Sequence, residues 1–237
     1  MKTKTFRCDI NKTNYSQVNN VIEGNSACNV TSMVQALDYM GYKLPEDELF
    51  PKFKQTEDKL MYFCKTDKDV LNFYKEKMPA MYNQFIKERE SQKNLPIEKC
   101  KFIDSYPPNE VHMVLSYAVN KFIGCNATYF KELASIDEII EQLTMSKPVV
   151  ISVKFGNLNH ILTLVGVELY EKGNEWKVSK FFADDTYGKF NFETGKYEKV
   201  SGNNCEFTYE QLVPCMKNLS NKDKKYAHFF NNPAAVI

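Results

Sequence analysis

Cys28, His160 and the pair Asp184-Asp185 are the residues whose types and settings could carry covalent chemistry. A thiol is a poor nucleophile until it loses its proton, and the partial positive charge at a helix N-terminus stabilises the thiolate. Cys28 falls in the first turn of a predicted helix. His160 follows the polar turn Gly156-Asn157-Leu158-Asn159 and opens the most apolar strand-like segment of the chain. An imidazole so placed can face a cleft at a sheet end and take the thiol proton. Asp184-Asp185 closes the next predicted strand. Two antiparallel strands joined by a hairpin bring the end of one near the start of the other, so either carboxylate could reach the ring and fix its tautomer. The chemistry would be attack of a thiolate on a carbonyl carbon through a thioester.

Each residue also has a plainer structural reading. A first-turn cysteine often only packs, and an acidic pair often satisfies the backbone of a turn. An unpaired buried carboxylate is costly, so one of the two aspartates is expected to face solvent. His112 reads as a helix-face residue, and His228 as one packed at a domain edge.

The elements that must position these groups show in the apolar periodicity. Val30, Met33, Val34 and Leu37 share one helical face, with Asn25 or Ser26 as cap and Gly41 as stop. Residues 45–101 are charged, aromatic and lysine-rich, and read as a helical insertion, with amphipathic helices over 67–77 and 80–90. After Pro107-Pro108, Asn109 caps a helix carrying Val111, Val114, Leu115, Ala118 and Phe122, ended by Gly124. Ser135 and Glu138 form a capping box before Ile136, Ile139, Ile140 and Leu143. Four helices thus precede any strong strand. From Pro148 the character changes: 149–153, 161–169 and 176–183 are rich in β-branched and aromatic residues and read as consecutive antiparallel strands, with a shorter one near 206–209. Helices first and strands later is an α+β pattern. The expectation is one domain over 1–237, with a helical part at about 26–146 and a sheet part at about 147–237.

Composition narrows the function. Basic and acidic residues total 31 and 30, for a net charge of +1, which is not the electrostatic footprint of a nucleic-acid binder. Arg7 and Arg89 are the only arginines, so bidentate readout of phosphates or guanine edges has few tools. No segment approaches the ~18 apolar residues of a membrane span, and Met1 to Ser16 is too polar for a secretory signal; a cytoplasmic protein is expected. Seven cysteines, an odd number without a C-x-x-C pair, argue against a disulfide framework or a zinc ribbon. No metal or cofactor is expected.

A family resemblance joins these motifs. The segments SQVNN (from Ser16, with Gln17) and SACNVTSMVQALDYMGY (Ser26 to Tyr42, with Asp38) resemble the nucleophile motif of cysteine peptidases similar to the bacteriocin-processing, double-glycine-leader kind, and more closely their stand-alone relatives in bacteria and phages. Lys147 to Val167 (KPVVISVKFGNLNHILTLVGV) looks like the family's histidine strand, and Phe181 to Gly188 (FFADDTYG) resembles its aspartate motif. The separation of Cys28 and His160 also falls within the roughly 130–150 residues usual for papain-type enzymes. The resemblance implies a papain-like fold and places Asp185, rather than Asp184, on the triad aspartate, because Tyr187 and Gly188 then align. Thr186 stands where the family usually has proline. In papain-like enzymes a glutamine before the cysteine donates to the oxyanion beside the nucleophile's own N–H; Gln17 and Asn20 are the candidates for that amide, with Gln17 preferred. Asn20 and Asn159 are candidate substrate-binding residues. The implied activity is hydrolysis of a peptide or isopeptide-like amide in a peptide or protein substrate. An acyltransferase using the same triad, or a papain-fold binding protein without turnover, are the alternatives.

Overall fold

The computed structural model describes residues 2–10, 12, 15–45, 50, 52–91, 108–217 and 224–233. The chain begins with β1 (Thr3–Arg7) and continues through α1 (Cys28–Met40), α2 (Thr56–Thr66), α3 (Lys68–Lys77), α4 (Pro79–Ser91) and α5 (Pro108–Ile123). It then passes through β2 (Thr128–Ala134), α6 (Ile136–Thr144), β3 (Val149–Phe155), β4 (Leu158–Lys172) and β5 (Glu175–Asp184). The small strands β6 (Lys189–Asn191) and β7 (Lys196–Glu198) precede β8 (Cys205–Thr208), α7 (Tyr209–Leu212) and β9 (Lys225–Phe230).

The strands of the last third form where β-branched and aromatic side chains suit a pleated, buried surface. β3, β4 and β5 are consecutive antiparallel neighbours, as their patterning implies. Both hairpins turn on the same dipeptide. Gly156-Asn157 links Phe155 to Leu158 and Gly173-Asn174 links Lys172 to Glu175, with the glycines at φ 58° and 66°, the backbone sign that two-residue hairpins require. The sheet order is β2-β9-β3-β4-β5-β8, and β1 adds to β4 beyond the end of β3. That addition depends on Gly166, where the β4–β5 register shifts. A Cβ there would lie 2.3 Å from the Phe6 carbonyl oxygen.

Helices cover one face of this sheet. Val30, Met33, Val34 and Leu37 of α1, Leu60 and Cys64 of α2, Val70 and Tyr74 of α3, Phe85 of α4 and Leu115 of α5 share one core with Val150 and Ile161 of the sheet. The alternate residues Val149, Ile151, Leu162 and Leu164 turn to the opposite face and pack with Ile139 and Leu143 of α6 and with Phe207. α6 starts at the expected capping box: the Glu138 N–H donates to Ser135 Oγ and the Ser135 N–H to Glu138 Oε2. The α+β class read from the sequence stands.

Several local expectations are corrected. α1 begins at Cys28 on Ala27, without a side-chain cap, because Ser26 Oγ turns back to the Glu23 carbonyl instead. Gly41 does end the helix, at φ 80°. α2 has no counterpart in the sequence reading, and β1, β2 and β9 add strands at both ends and within the part read as helical. Residues 92–107, which include the end of the expected insertion, lie outside the described residues. Asp184 and Asp185 are both buried, at 0% and 1% exposure. Neither faces solvent, because the fold supplies hydrogen-bond donors to both.

Candidate active site

Cys28 opens α1, so its sulfur and backbone N–H stand at the positive end of that helix, where the first N–H groups have no intrahelical acceptor. The helix is held against the sheet by polar ties as well as apolar packing. Ser32 Oγ donates to the Ile161 carbonyl (3.1 Å), and Thr163 Oγ1 donates to the Ser32 carbonyl (3.2 Å). One turn of α1 is thereby registered on the residues that follow His160.

His160 enters β4 opposite Val153 and is buried at 4% exposure. Its Nε2 lies 2.8 Å from Asp185 Oδ1, which leaves Nδ1 for the thiol. Cys28 and His160 line the same cavity, and the cysteine is among the groups that act on the ring. Burial by itself would push the imidazole down. The charge and hydrogen bond of Asp185, and then Cys28, overcome that and raise it to about 10.

Asp184 and Asp185 both stand at the end of β5 nearest His160, and they have different partners. β5 pairs Asp184 with Thr163. Asp184 Oδ2 accepts from Tyr39 OH (2.7 Å) and Oδ1 from the Asn204 N–H (2.8 Å), so it ties α1 to the loop before β8. Asp185, one residue on, turns to His160. Its Oδ1 also accepts the Tyr187 N–H (2.9 Å), and its Oδ2 accepts Tyr197 OH (3.0 Å). Gly202 takes the Asp185 N–H on its carbonyl, at an approach so close that a Cβ on Gly202 would lie 2.0 Å from the Asp185 carbonyl oxygen.

Gln17 is buried and shares a cavity of about 150 Å³ with Cys28 and His160. Thr186 Oγ1 donates to its Oε1 (2.8 Å), and its Nε2 donates to the Gly24 carbonyl (3.1 Å). The second N–H on Nε2 has no protein acceptor among the described residues. Gln17 and Cys28 thus bring two donors, Gln17 Nε2 and the Cys28 N–H, to residues lining one cavity. The hydroxyl of Thr186, which a proline would lack, anchors that amide. Asn159 lines the same cavity and accepts from Lys217 Nζ. Asn20 does not reach the cavity: its Nδ2 donates to Thr31 Oγ1 (3.0 Å) and braces the loop against α1.

Three contributors escaped the sequence reading. Tyr197 reaches Asp185 from the β6–β7 hairpin, and a lone tyrosine between short strands carries no pattern that would single it out. Asp58 of α2 accepts the N–H groups of Val21 (3.1 Å) and Ile22 (2.8 Å). Lys65, also on α2, pairs with Glu23 at 2.6 Å. α2 thus fixes the loop that carries Gln17 into Cys28. The other two histidines lie apart from Asp185. His112 and His228 are buried at 3% and 0% exposure and meet at 2.8 Å between Nδ1 and Nε2; His112 lies on α5 as expected, but on its buried face, and His228 lies on β9 between β2 and β3 rather than at an edge. Burial pushes the thiols of Cys64 and Cys205 up to about 12 and raises Cys8 and Cys215 too.

A helix that opens on a cysteine and packs on an antiparallel sheet bearing a histidine–aspartate pair is the architecture of the papain-like cysteine peptidases. This chain belongs to the Peptidase_C39 like family, whose profile matches residues 10–214. Its fold is similar to that of the crystal structure of a "putative C39-like peptidase from Bacillus anthracis", with a TM-score of 0.52 at 15% identity over 97% of this chain and 98% of the other. No curated protein matches the chain significantly in sequence. The family points to peptidase activity on a peptide or protein. Among the described residues, no helix is long and apolar enough to cross a membrane.

Proposed function

We propose that the protein is a cysteine-dependent amide hydrolase that cleaves a peptide or isopeptide-like bond through Cys28, His160 and Asp185. Cys28 at a helix start and His160 near a strand start line one cavity, with Asp185 at a strand exit bonded to the far side of the ring, and this arrangement carries the reading. Asp185 holds the imidazole by Nε2, and Nδ1 takes the thiol proton. The thiolate attacks the carbonyl carbon, and the oxyanion is received by the Cys28 N–H and Gln17 Nε2. His160 returns the proton to the departing amine, and water, activated by the same ring, resolves the thioester. Burial raises the thiols of Cys8, Cys64, Cys205 and Cys215, so those four should react behind Cys28.

Intact-mass measurement after limited iodoacetamide treatment tests the nucleophile, with Cys28→Ala and His160→Ala beside the parent. One fast adduct is expected in the parent, absent from the first variant and slowed in the second. Equal labelling of all three proteins overturns the mechanism.

A further inference from the structure

We propose that the cleft selects substrates carrying a carboxylate close to the scissile bond, and that Lys217 recognises it. The inference rests on the peptidase reading of the site and adds the substrate class to it.

Lys217 lines the same cavity as Cys28 and His160, and its position is built in. Its N–H donates to the Ser152 carbonyl of β3 (2.8 Å), its carbonyl accepts the Tyr226 N–H of β9 (2.9 Å), and the preceding Met216 bridges to Val153. A lysine stitched between two central strands is not a wandering surface side chain. Its ammonium donates to Asn159 Oδ1, on the residue next to His160. Directly across the hairpin from Asn159 stands Lys154. Two ammonium groups thus flank one neutral amide.

Among the described residues, no carboxylate pairs with Lys154 or Lys217. Apart from the Cys28–His160 pair, the other polar groups lining the cavity, such as Gln17, Asn25 and Ser152, are neutral. Asp185 lies behind the imidazole and is engaged there. Burial and then Lys154 push the Lys217 amine down, so its charged form lacks the compensation that a partly buried cation ordinarily finds in a protein acid. A substrate carboxylate would supply it, displacing Asn159 or sharing the ammonium with it. A cavity of about 150 Å³ has room for one such group beside the sulfur. An acidic side chain and a free C-terminus present the same oxygens.

Two alkylating agents of nearly equal size, iodoacetate and iodoacetamide, differ in the charge that Lys217 would read. The ratio of their rates at Cys28 cancels any change in thiol reactivity common to both. Relative to the parent, the iodoacetate-to-iodoacetamide ratio should fall about tenfold in Lys217→Gln, as for loss of one partly desolvated ion pair, and further in Lys217→Glu. An unchanged ratio with fast labelling overturns this proposal alone. Slow labelling by both agents that is indifferent to His160→Ala overturns the peptidase reading, and this proposal with it. A peptide mixture offered in glutamate and glutamine versions, each as free acid and as C-terminal amide, then separates the two sources. Preferential cleavage of the glutamate peptides identifies an acidic side chain, preference for the free acids identifies a C-terminus, and indifference to both overturns the proposal.

Discussion

Replacing Asp185 by asparagine preserves shape and removes charge, and so asks what the carboxylate does for His160. In the parent, Oδ1 accepts from His160 Nε2 at 2.8 Å and from the Tyr187 N–H at 2.9 Å. An asparagine oxygen can keep both contacts. It cannot supply the charge that helps hold the imidazole at about 10. Two unit charges about 4 Å apart attract by about 4 kcal/mol at an effective dielectric of 20, equivalent to about three decades in a protonation equilibrium. The assay is the rate of Cys28 alkylation by iodoacetamide from about pH 5 to about pH 10, the range over which an ordinary thiol, with pKa ≈ 8.5, goes from inert to ionised. The parent should label quickly even at mildly acidic pH, because thiolate and imidazolium sustain each other. In Asp185→Asn the rate near pH 6 should fall by about 10²–10³-fold and recover toward the alkaline end. Asp184→Asn is the matched control, since Asp184 engages Tyr39 and Asn204 rather than the ring; its profile should overlay that of the parent. An unmoved profile for Asp185→Asn, or a moved one for Asp184→Asn, would refute the assignment.

Two further outcomes are expected. The His112–His228 pair is kept neutral by burial, His112 down to about 3 and His228 well below its ordinary 6.5. Below pH 6.5 the unfolded chain therefore binds more protons than the folded one, and stability falls with the pH by about 2 kcal/mol per histidine by pH 5. Thermal unfolding of a His112→Phe/His228→Leu double variant should show a flatter acid limb, and an equally steep one would refute the account. His160 works in the opposite sense: its pKa is raised in the folded state, so its contribution is whole below 6.5 and is lost as the pH climbs towards about 10. Thr186→Val removes the donor to Gln17 Oε1 and leaves that amide loose beside the sulfur. Turnover should drop about tenfold, less than the 10²–10³ of deleting an oxyanion donor, while iodoacetamide labelling of Cys28, which forms no oxyanion, keeps its rate. A parallel loss of both would mean that Thr186 acts on the thiol and not on the amide.

The sequence made the sheet legible where its signals were local. Gly156-Asn157 and Gly173-Asn174 set two hairpins, and the runs between them are apolar enough to allow one reading. Those hairpins also place the aspartate pair beside the histidine by topology alone. They could not choose between Asp184 and Asp185, since the choice depends on which way the chain leaves β5. That exit is set by Gly202, which receives the Asp185 N–H from a loop with no sequence pattern of its own. β1, β2 and β9 were hidden for another reason. β1 is a mostly exposed strand of TKTFR, its first three residues in solvent. β9, KYAHFF, is wholly buried despite its lysine and histidine, so neither follows the alternation that marks a half-buried strand.

α2 shows most clearly why the site was only partly readable. Thr56–Thr66 is amphipathic but densely charged, and by composition it belongs with a solvated insertion. In the fold, Glu57, Asp58, Lys59 and Lys65 of this helix are all buried. Asp58 holds the backbone at Val21 and Ile22, and Lys65 holds Glu23. Buried charge of this kind is costly unless paired, and the partners of Asp58 and Lys65 are the backbone and one acid of the loop that delivers Gln17 and Cys28. The helix that looked peripheral is the outer wall of the nucleophile loop. Asp58 and Lys65 sit in the interior because their partners are loop groups, which periodicity does not register. A candidate site can thus be found from three chemically distinctive residues, while the elements that hold it rigid are recognised only once their partners are known.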